Sequence, residues 1–235
     1  MTRRIADEPA YLLHMRPYRE TSALLELLTA RHGCISVVGK GLKGQRRRVV
    51  PTPFVRLRVS CGGRGSLLSL AGIEAERRHL LEGDALFSGL YLNELLVRLV
   101  RHDDPHPALF EGYETTLVNL VSGGDVEDSL RRFERLLLRE CGYELSFDVD
   151  AGTGEAIAPD AVYAFEPEHG FARCEASVDG RRTYSGHTLL AIHDGDLSRA
   201  EVRRAAKRIL RHALAPHLGP RPLESRALFR GRRAP

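Results

Sequence analysis

Between residues 10 and 75 the apolar positions recur at short range and are repeatedly interrupted by turn formers. The segments "AYLLHMRPY", "SALLELLTA", "CISVVGK", "FVRLRVS" and "SLLSLAGIEA" read as five strands, with "CGGRG" as a glycine-rich hairpin between the last two. "FVRLRV" alternates cleanly: Phe54, Arg56 and Arg58 fall on one face, Val55, Leu57 and Val59 on the other. Such a strand holds two arginines over whatever its open face meets. Five short strands in so few residues predict a small barrel, and an OB-fold is the commonest unit of that kind that binds nucleic acid.

After Gly83 the period lengthens. "ALFSGLYLNELLVRLV", "ALFEGYETTLVNLVSGG" and "DVEDSLRRFERLLLRECGYEL" carry apolar residues at helical spacing, separated by the Pro-rich "HDDPHP" and by glycines. In the third, Asp125 is placed to cap and Gly142 to stop; Leu130, Phe133, Leu137 and Cys141 share one side, Arg131, Arg132, Arg135 and Arg139 another. These segments predict a helical bundle. Residues 147–187 lose the helical period and hold the strand-like "AVYAF", "GFARCEA" and "RRTYS". A final helix opens at Ser198 and ends before Pro216, with Val202, Ala206, Ile209, Ala213 and Leu214 on one face and Arg203, Arg204, Lys207, Arg208 and Arg211 opposite. The pattern as a whole is an α+β multidomain chain: a β-barrel over residues 1–80, a helical domain over 81–146 and 188–235, and a small β-rich insert over 147–187.

Composition adds little until charge is followed along the chain. Hydrophobic residues at 43% with 28% charged residues are those of a globular protein. No apolar run reaches membrane-spanning length and "MTRRIADEPAY" lacks an apolar signal core, so a cytoplasmic location is expected. The four cysteines lie far apart without a C-x-x-C, which reads as reduced, buried side chains rather than disulfides or a metal clip. Net charge is only +4, but from Leu27 to Ile73 there are nine Arg or Lys and no acid, from His102 to Asp160 fourteen acids against four arginines, and from Arg203 onward ten bases and one acid. Basic ends around an acidic middle point to a polyanion partner. The candidate contacts are Lys40, Lys43, Arg46, Arg47, Arg48, Arg56 and Arg58 on the barrel, and Arg203, Arg204, Lys207, Arg208 and Arg211 on the last helix. Each Lys or Arg that meets a phosphate releases counterions, giving affinity without sequence preference.

Gly39-Lys40-Gly41-Leu42-Lys43-Gly44 matches G-x-G-x-x-G, yet "QRRRVVPTPF" follows it where a dinucleotide site requires a helix N-terminus. A nucleotide site is rejected. The histidines are dispersed without H-E-x-x-H, and no G-x-S-x-G elbow occurs, so no catalytic residues, cofactor or metal are expected.

"MRPYRETSALLELLTARHG", "VVGKG", "GGRGSLLSL", "FSGLYLNELL", "LRRFERLLLRECGY" and "RAAKRILRHALAPHLGPRPLESRALFR" together resemble, in order and over roughly residues 8–230, the RecO family of bacterial recombination mediators. The resemblance implies an N-terminal OB-fold, a central helical domain and a zinc-ribbon-like insert. It implies a protein of DNA repair and homologous recombination that catalyses no bond chemistry, sits with the nucleoid in the cytoplasm, and binds single- and double-stranded DNA. It further implies annealing of complementary strands, engagement of the acidic C-terminal tail of single-strand DNA-binding protein, and, with RecR, loading of RecA. Where many members carry two C-x-x-C pairs, "FDVDAGTGEA" and "HGFARCEASV" hold only Cys174, so the insert resembles a zinc-less branch. The docking site for the tail is expected on the third helix at Leu130, Arg131, Arg132, Phe133 and Arg135. The competing class is a non-catalytic adaptor whose basic faces bind acidic protein tails rather than DNA.

Overall fold

A computed structural model describes residues 2–42, 50–175 and 182–231. The chain forms two compact units, residues 1–126 with 221–235, and residues 127–220.

The first unit is built on a closed five-stranded barrel in the order β1-β2-β3-β5-β4, comprising β1 (Thr2–Tyr18), β2 (Ser22–Thr29), β3 (Gly33–Gly39), β4 (Val55–Arg64) and β5 (Leu67–Arg78). Closure depends on the first strand, which is far longer than the alternation of residues 10–18 predicts. Its first half pairs with β4 (Thr2 to Tyr11 against Arg64 to Arg56), its second with β2 (Ala10 to Tyr18 against Thr29 to Ser22). Asp7, at φ +52°, sits in the irregularity between Ile5 and Glu8 where the strand bends. A short parallel ladder, Ser36–Leu67 to Val38–Ser69, joins β3 to β5. The interior is filled by alternate residues, among them Leu12, Leu25, Leu27, Ile35, Val37, Leu57, Val59 and Leu68. Cys61 belongs to this core, and burial pushes its thiol up to about 11.

Three helices complete the unit: α1 (Gly83–Leu99), α2 (Pro107–Val121, with the proline at its first position) and, from the end of the chain, α6 (Ser225–Gly231). Tyr11 of β1 packs edge-on against Tyr113 at 5.1 Å and tilted on Phe110 at 5.5 Å. Asn93 of α1 donates to the Leu13 carbonyl at 3.2 Å and accepts from the Tyr113 hydroxyl at 2.6 Å, so the buried polar atoms where helix meets barrel are matched. Glu94 accepts from the Ser225 amide (2.9 Å), its hydroxyl (2.6 Å) and the Glu224 amide (2.9 Å), capping α6 from another helix. These contacts group α1 and α2 with the barrel, whereas the periodicity had grouped them with the third helix.

The second unit contains α3 (Val126–Glu140), a three-stranded sheet in the order β7-β6-β8 (β6 Val162–Glu166, β7 Gly170–Cys174, β8 Thr183–Ser185), α4 (Gly186–His193), α5 (Ala200–Leu214) and a 3-10 turn over Ala215–Leu218. The helix α4 is short, capped by the Ser185 hydroxyl at 3.3 Å from the Thr188 amide, and its period is too brief to stand out in the sequence. In the stretch before β6, Asp150 organises a turn: its carboxylate accepts from the Gly152 amide at 2.8 Å, and its amide donates to Glu155 at 2.8 Å. Phe171 is fully buried between Phe147 at 5.2 Å and Phe165 at 5.0 Å. Packing and hydrogen bonds hold this insert together. Among the described residues no three His, Cys, Asp or Glu side chains are placed to hold a metal ion. The four cysteines are free thiols, Cys34 and Cys61 in the core but Cys141 and Cys174 only half-buried, against the expectation that all four are core residues.

Candidate functional site

The basic loop leaves the barrel at Lys40, an exposed residue at the end of β3, and turns at Gly41 (φ +68°). Lys43, Arg46, Arg47 and Arg48 lie outside the described residues. On β4 the alternation places Val55, Leu57 and Val59 inside and Arg56 and Arg58 outside, as expected, whereas Phe54 is buried and precedes the strand at φ +62°.

The two strand arginines are not bare cations. Arg56 Nε donates to Glu76 at 3.1 Å, its Nη1 bonds Glu114 of α2, and its guanidinium lies 5.8 Å over the Phe110 ring. Arg58 donates to Glu76 at 2.5 Å and to Asp7 at 2.7 Å. The hydrogen bond from Arg58, then its charge and those of Arg56, hold the Glu76 carboxyl below the usual carboxylate range. The acid-free window from Leu27 to Ile73 ends just short of Glu76, and the β1 bend and α2 bring in Asp7 and Glu114 from far along the chain. Sequence distance concealed the neutralisation.

On α5, Arg203 folds back to the Leu197 and Ser198 carbonyls, both at 2.8 Å, and Lys207 pairs with Glu127 at 2.6 Å. Arg204, Arg208 and Arg211 remain exposed, with no carboxylate bonded to them among the described residues.

The helix α3 corrects the expected tail site. Leu130 and Phe133 are core, and Arg131 is 6% exposed with its Nη2 on Glu134 at 2.6 Å, so none of the three lines the open cavity on this helix that Arg135 and Arg139 border. Seven residues between Ser129 and Leu138 of this helix are buried, more than its apolar positions alone account for. The other flank is open. Arg132 bonds Asp128 at 2.7 Å while staying largely exposed, and Arg135 donates to the Ile192 carbonyl at 2.6 Å with its guanidinium 5.2 Å over the Phe147 ring. Burial, then the neighbouring charges of Arg132 and Arg139, lower the Arg135 pKa from its ordinary value. These arginines, with Arg139, rim a cavity of about 250 Å³ whose apolar lining includes Leu136, Leu145 and Phe147, with Glu144 the one carboxylate. Leu136 and Leu145 were not anticipated, and Arg139 is expected on the arginine face but not in the tail site. The 132, 135, 136, 139 spacing marks one helical stripe and was the available signal.

Ser36, Glu26 and His102 form the nearest thing to a catalytic cluster. Ser36 Oγ and His102 Nε2 both converge on Glu26, at 2.8 Å each, and the serine meets that same Nε2 at 3.1 Å. A nucleophilic relay needs the imidazole between the other two, one nitrogen to each. This cluster lacks that geometry.

Two family models match the chain: "Recombination protein O N terminal" over residues 1–77 and "Recombination protein O C terminal" over residues 80–227. Among similar proteins are three named DNA repair protein RecO. That of Cellvibrio japonicus is 44% identical over 230 residues, 96% of this chain and 97% of the relative. That of Methylococcus capsulatus is 45% identical over 230 residues (97% and 94%), and that of Coxiella burnetii 42% over 232 (97% and 100%). No helix among the described residues is long and apolar enough to cross a membrane. With both halves of the sequence matched and the likeness running almost end to end, the chain belongs to the RecO family of DNA repair proteins.

Proposed function

We propose that this protein is a non-catalytic recombination mediator that binds single- and double-stranded DNA, anneals complementary strands, docks the acidic tail of single-strand DNA-binding protein, and with RecR promotes RecA loading. The observation that carries the reading is the arginine-rimmed cavity. A peptide that is acidic along its length and ends in an apolar side chain with a free carboxylate needs guanidinium forks beside an apolar floor, and Arg132, Arg135 and Arg139 above Leu136, Leu145 and Phe147 supply both. The closed five-stranded barrel with its parallel β3–β5 pairing supports the reading of this region as an OB-fold, and the sheet of β6–β8 is read as a zinc-ribbon-like insert without its metal. Annealing has a physical basis in the two basic ends of the sequence, the loop from Lys40 to Arg48 and the α5 arginines: together they neutralise two phosphate backbones and leave base edges free to pair.

The test is a tail peptide titrated by fluorescence anisotropy. Arg135→Ala and Leu145→Asp should each weaken it by about 1–3 kcal/mol, the range for a charged hydrogen bond, with bare-DNA affinity unchanged and annealing of protein-coated strands lost selectively. Peptide affinity equal to wild type in both variants would move the tail to another surface.

The ion-paired state of Arg56 and Arg58 favours a structural role for them over contact with DNA or with an acidic tail, and one substitution tests it. If the barrel face meets DNA, Glu76→Gln removes the carboxylate that Arg56 and Arg58 share, leaving each with one partner, Glu114 and Asp7, and steepens the salt dependence of DNA binding by up to about 0.7–0.9 per new phosphate contact. An unchanged slope assigns these arginines to holding β4, β5 and α2 together.

A further inference from the structure

Arg182, immediately before β8, directs its guanidinium onto the imidazole of His212 on α5. A guanidinium only donates, so the imidazole nitrogen accepts and His212 is held neutral. Burial, then Arg182, Arg211 and Arg208, lower the pKa of His212. Arg182 and Arg208 also bear on Tyr184, a residue 6% exposed whose hydroxyl is buried and has no hydrogen-bond partner. Positions 204, 208 and 211 fall within about 60° of one another around the helix, so Arg204 extends the same stripe. Three exposed guanidiniums, one of them on the His212 imidazole and two on the same helix stripe beside it, with no carboxylate bonded to any of them among the described residues, form a site short of an anion. Arg56, Arg58 and Lys207, by contrast, each already have a carboxylate.

We infer that Arg182, Arg208 and Arg211 form a phosphate-binding site for the backbone of nucleic acid. This rests on the reading that the protein binds DNA, and names where the second unit does so. The stripe from Arg204 to Arg211 covers about 10 Å of helix, close to the rise of three nucleotides on one strand. An acidic peptide tail with an apolar end is less suited to it, because Arg204, Arg208 and Arg211 project from the polar face of α5 whereas the α3 cavity has an apolar lining.

Binding of a labelled oligothymidylate to the full chain, measured by anisotropy across a range of salt, tests this. The variant Arg182→Ala/Arg208→Ala/Arg211→Ala should lose about 2 from the salt slope, at about 0.7 per phosphate, and about 100-fold in affinity at about 0.1 M salt. The charge-matched variant Arg173→Ala/Arg199→Ala/Arg221→Ala should keep the wild-type slope. If the first variant fails to fold, Arg208→Gln alone should lose about 0.7 in slope and about fivefold in affinity. Wild-type protein that does not bind the oligonucleotide sinks the DNA reading and this site with it. Wild type that binds while the first variant binds equally well overturns the site alone. So does an equal loss in the charge-matched variant, which reduces the effect to net charge, or a first variant that keeps DNA and loses the acidic tail peptide.

Discussion

Gly33→Ala should unfold the barrel edge, at a cost of about 3 kcal/mol or more, while Gly41→Ala costs only about 1–2 kcal/mol. Both glycines sit in the left-handed region, at φ +66° and φ +68°, so an added Cβ brings the same conformational penalty to each. Their surroundings differ. At Gly41 a Cβ meets nothing within 4 Å, whereas at Gly33 it would overlap the main-chain carbonyl of Asp104. No rotamer relieves an overlap with backbone. The segment that would have to move is pinned: the Asp103 amide donates to the Cys34 carbonyl at 2.9 Å, Cys34 bridges His102 in parallel, and Arg3 pairs with Asp103. The Thr29 hydroxyl fixes the other side of the turn by donating to the Gly33 carbonyl at 2.8 Å. Thermal midpoints measure the difference, at about 2–4 °C per kcal/mol for a chain of this size. Midpoints for the two variants that agree within about 2 °C would mean that residues 102–104 do not pack against this turn as described.

Arg131→Ala should destabilise the second unit by about 3–5 kcal/mol, because it strands the buried Glu134 carboxylate that Arg131 now meets at 2.6 Å. Arg131 Nε has no hydrogen-bond partner, so the pair is not ideally satisfied. The double replacement Arg131→Met/Glu134→Leu should therefore be near neutral or more stable than wild type. Denaturant unfolding of the two single variants and the double gives the coupling between them directly. The folded double variant should bind the acidic tail peptide as wild type does, which separates this arginine from Arg135 one helical turn on. A stable Arg131→Ala that loses the peptide would place Arg131 in the cavity and not in the core.

The pattern of residues gave the barrel because each of its strands declares itself locally: Leu25 and Leu27, Ile35 and Val37, or Leu57 and Val59 alternate within one short segment. It did not show that β1 begins at Thr2, since "TRRIADE" carries a single core residue, Ile5, and its pairing partner lies some sixty residues away on β4. Helical spacing likewise located α3 and α5, but the wheel assumes that charge faces water. Arg131 breaks that assumption by pairing with Glu134, and its burial transferred the open face of α3 to Arg135, Leu136 and Arg139. The same lesson holds for Arg56 and Arg58. A run without acids is neutralised in sequence by nothing, yet in space by Asp7, Glu76 and Glu114. Arg182 and His212 were out of reach for a related reason: a coil residue before a three-residue strand has no period, and only the fold brings it to the helix.

The division of the chain has a consequence for how it is made. Residues 127–220 are threaded into the first unit as an insertion, and α6, which Glu94 caps through Ser225, is synthesised only after all of them. During vectorial synthesis the barrel, α1 and α2 emerge first but stay incomplete, with the Glu94 carboxylate still waiting for its donors. The second unit thus has every residue it needs while the first does not. Closing the first unit must draw α6 back across the whole length of the intervening chain, and the entropy of that loop is smallest once residues 127–220 are already compact. The unit begun earliest is the last to be finished: its barrel has all its strands before residue 127 is made, but its final helix arrives only after the inserted unit is complete.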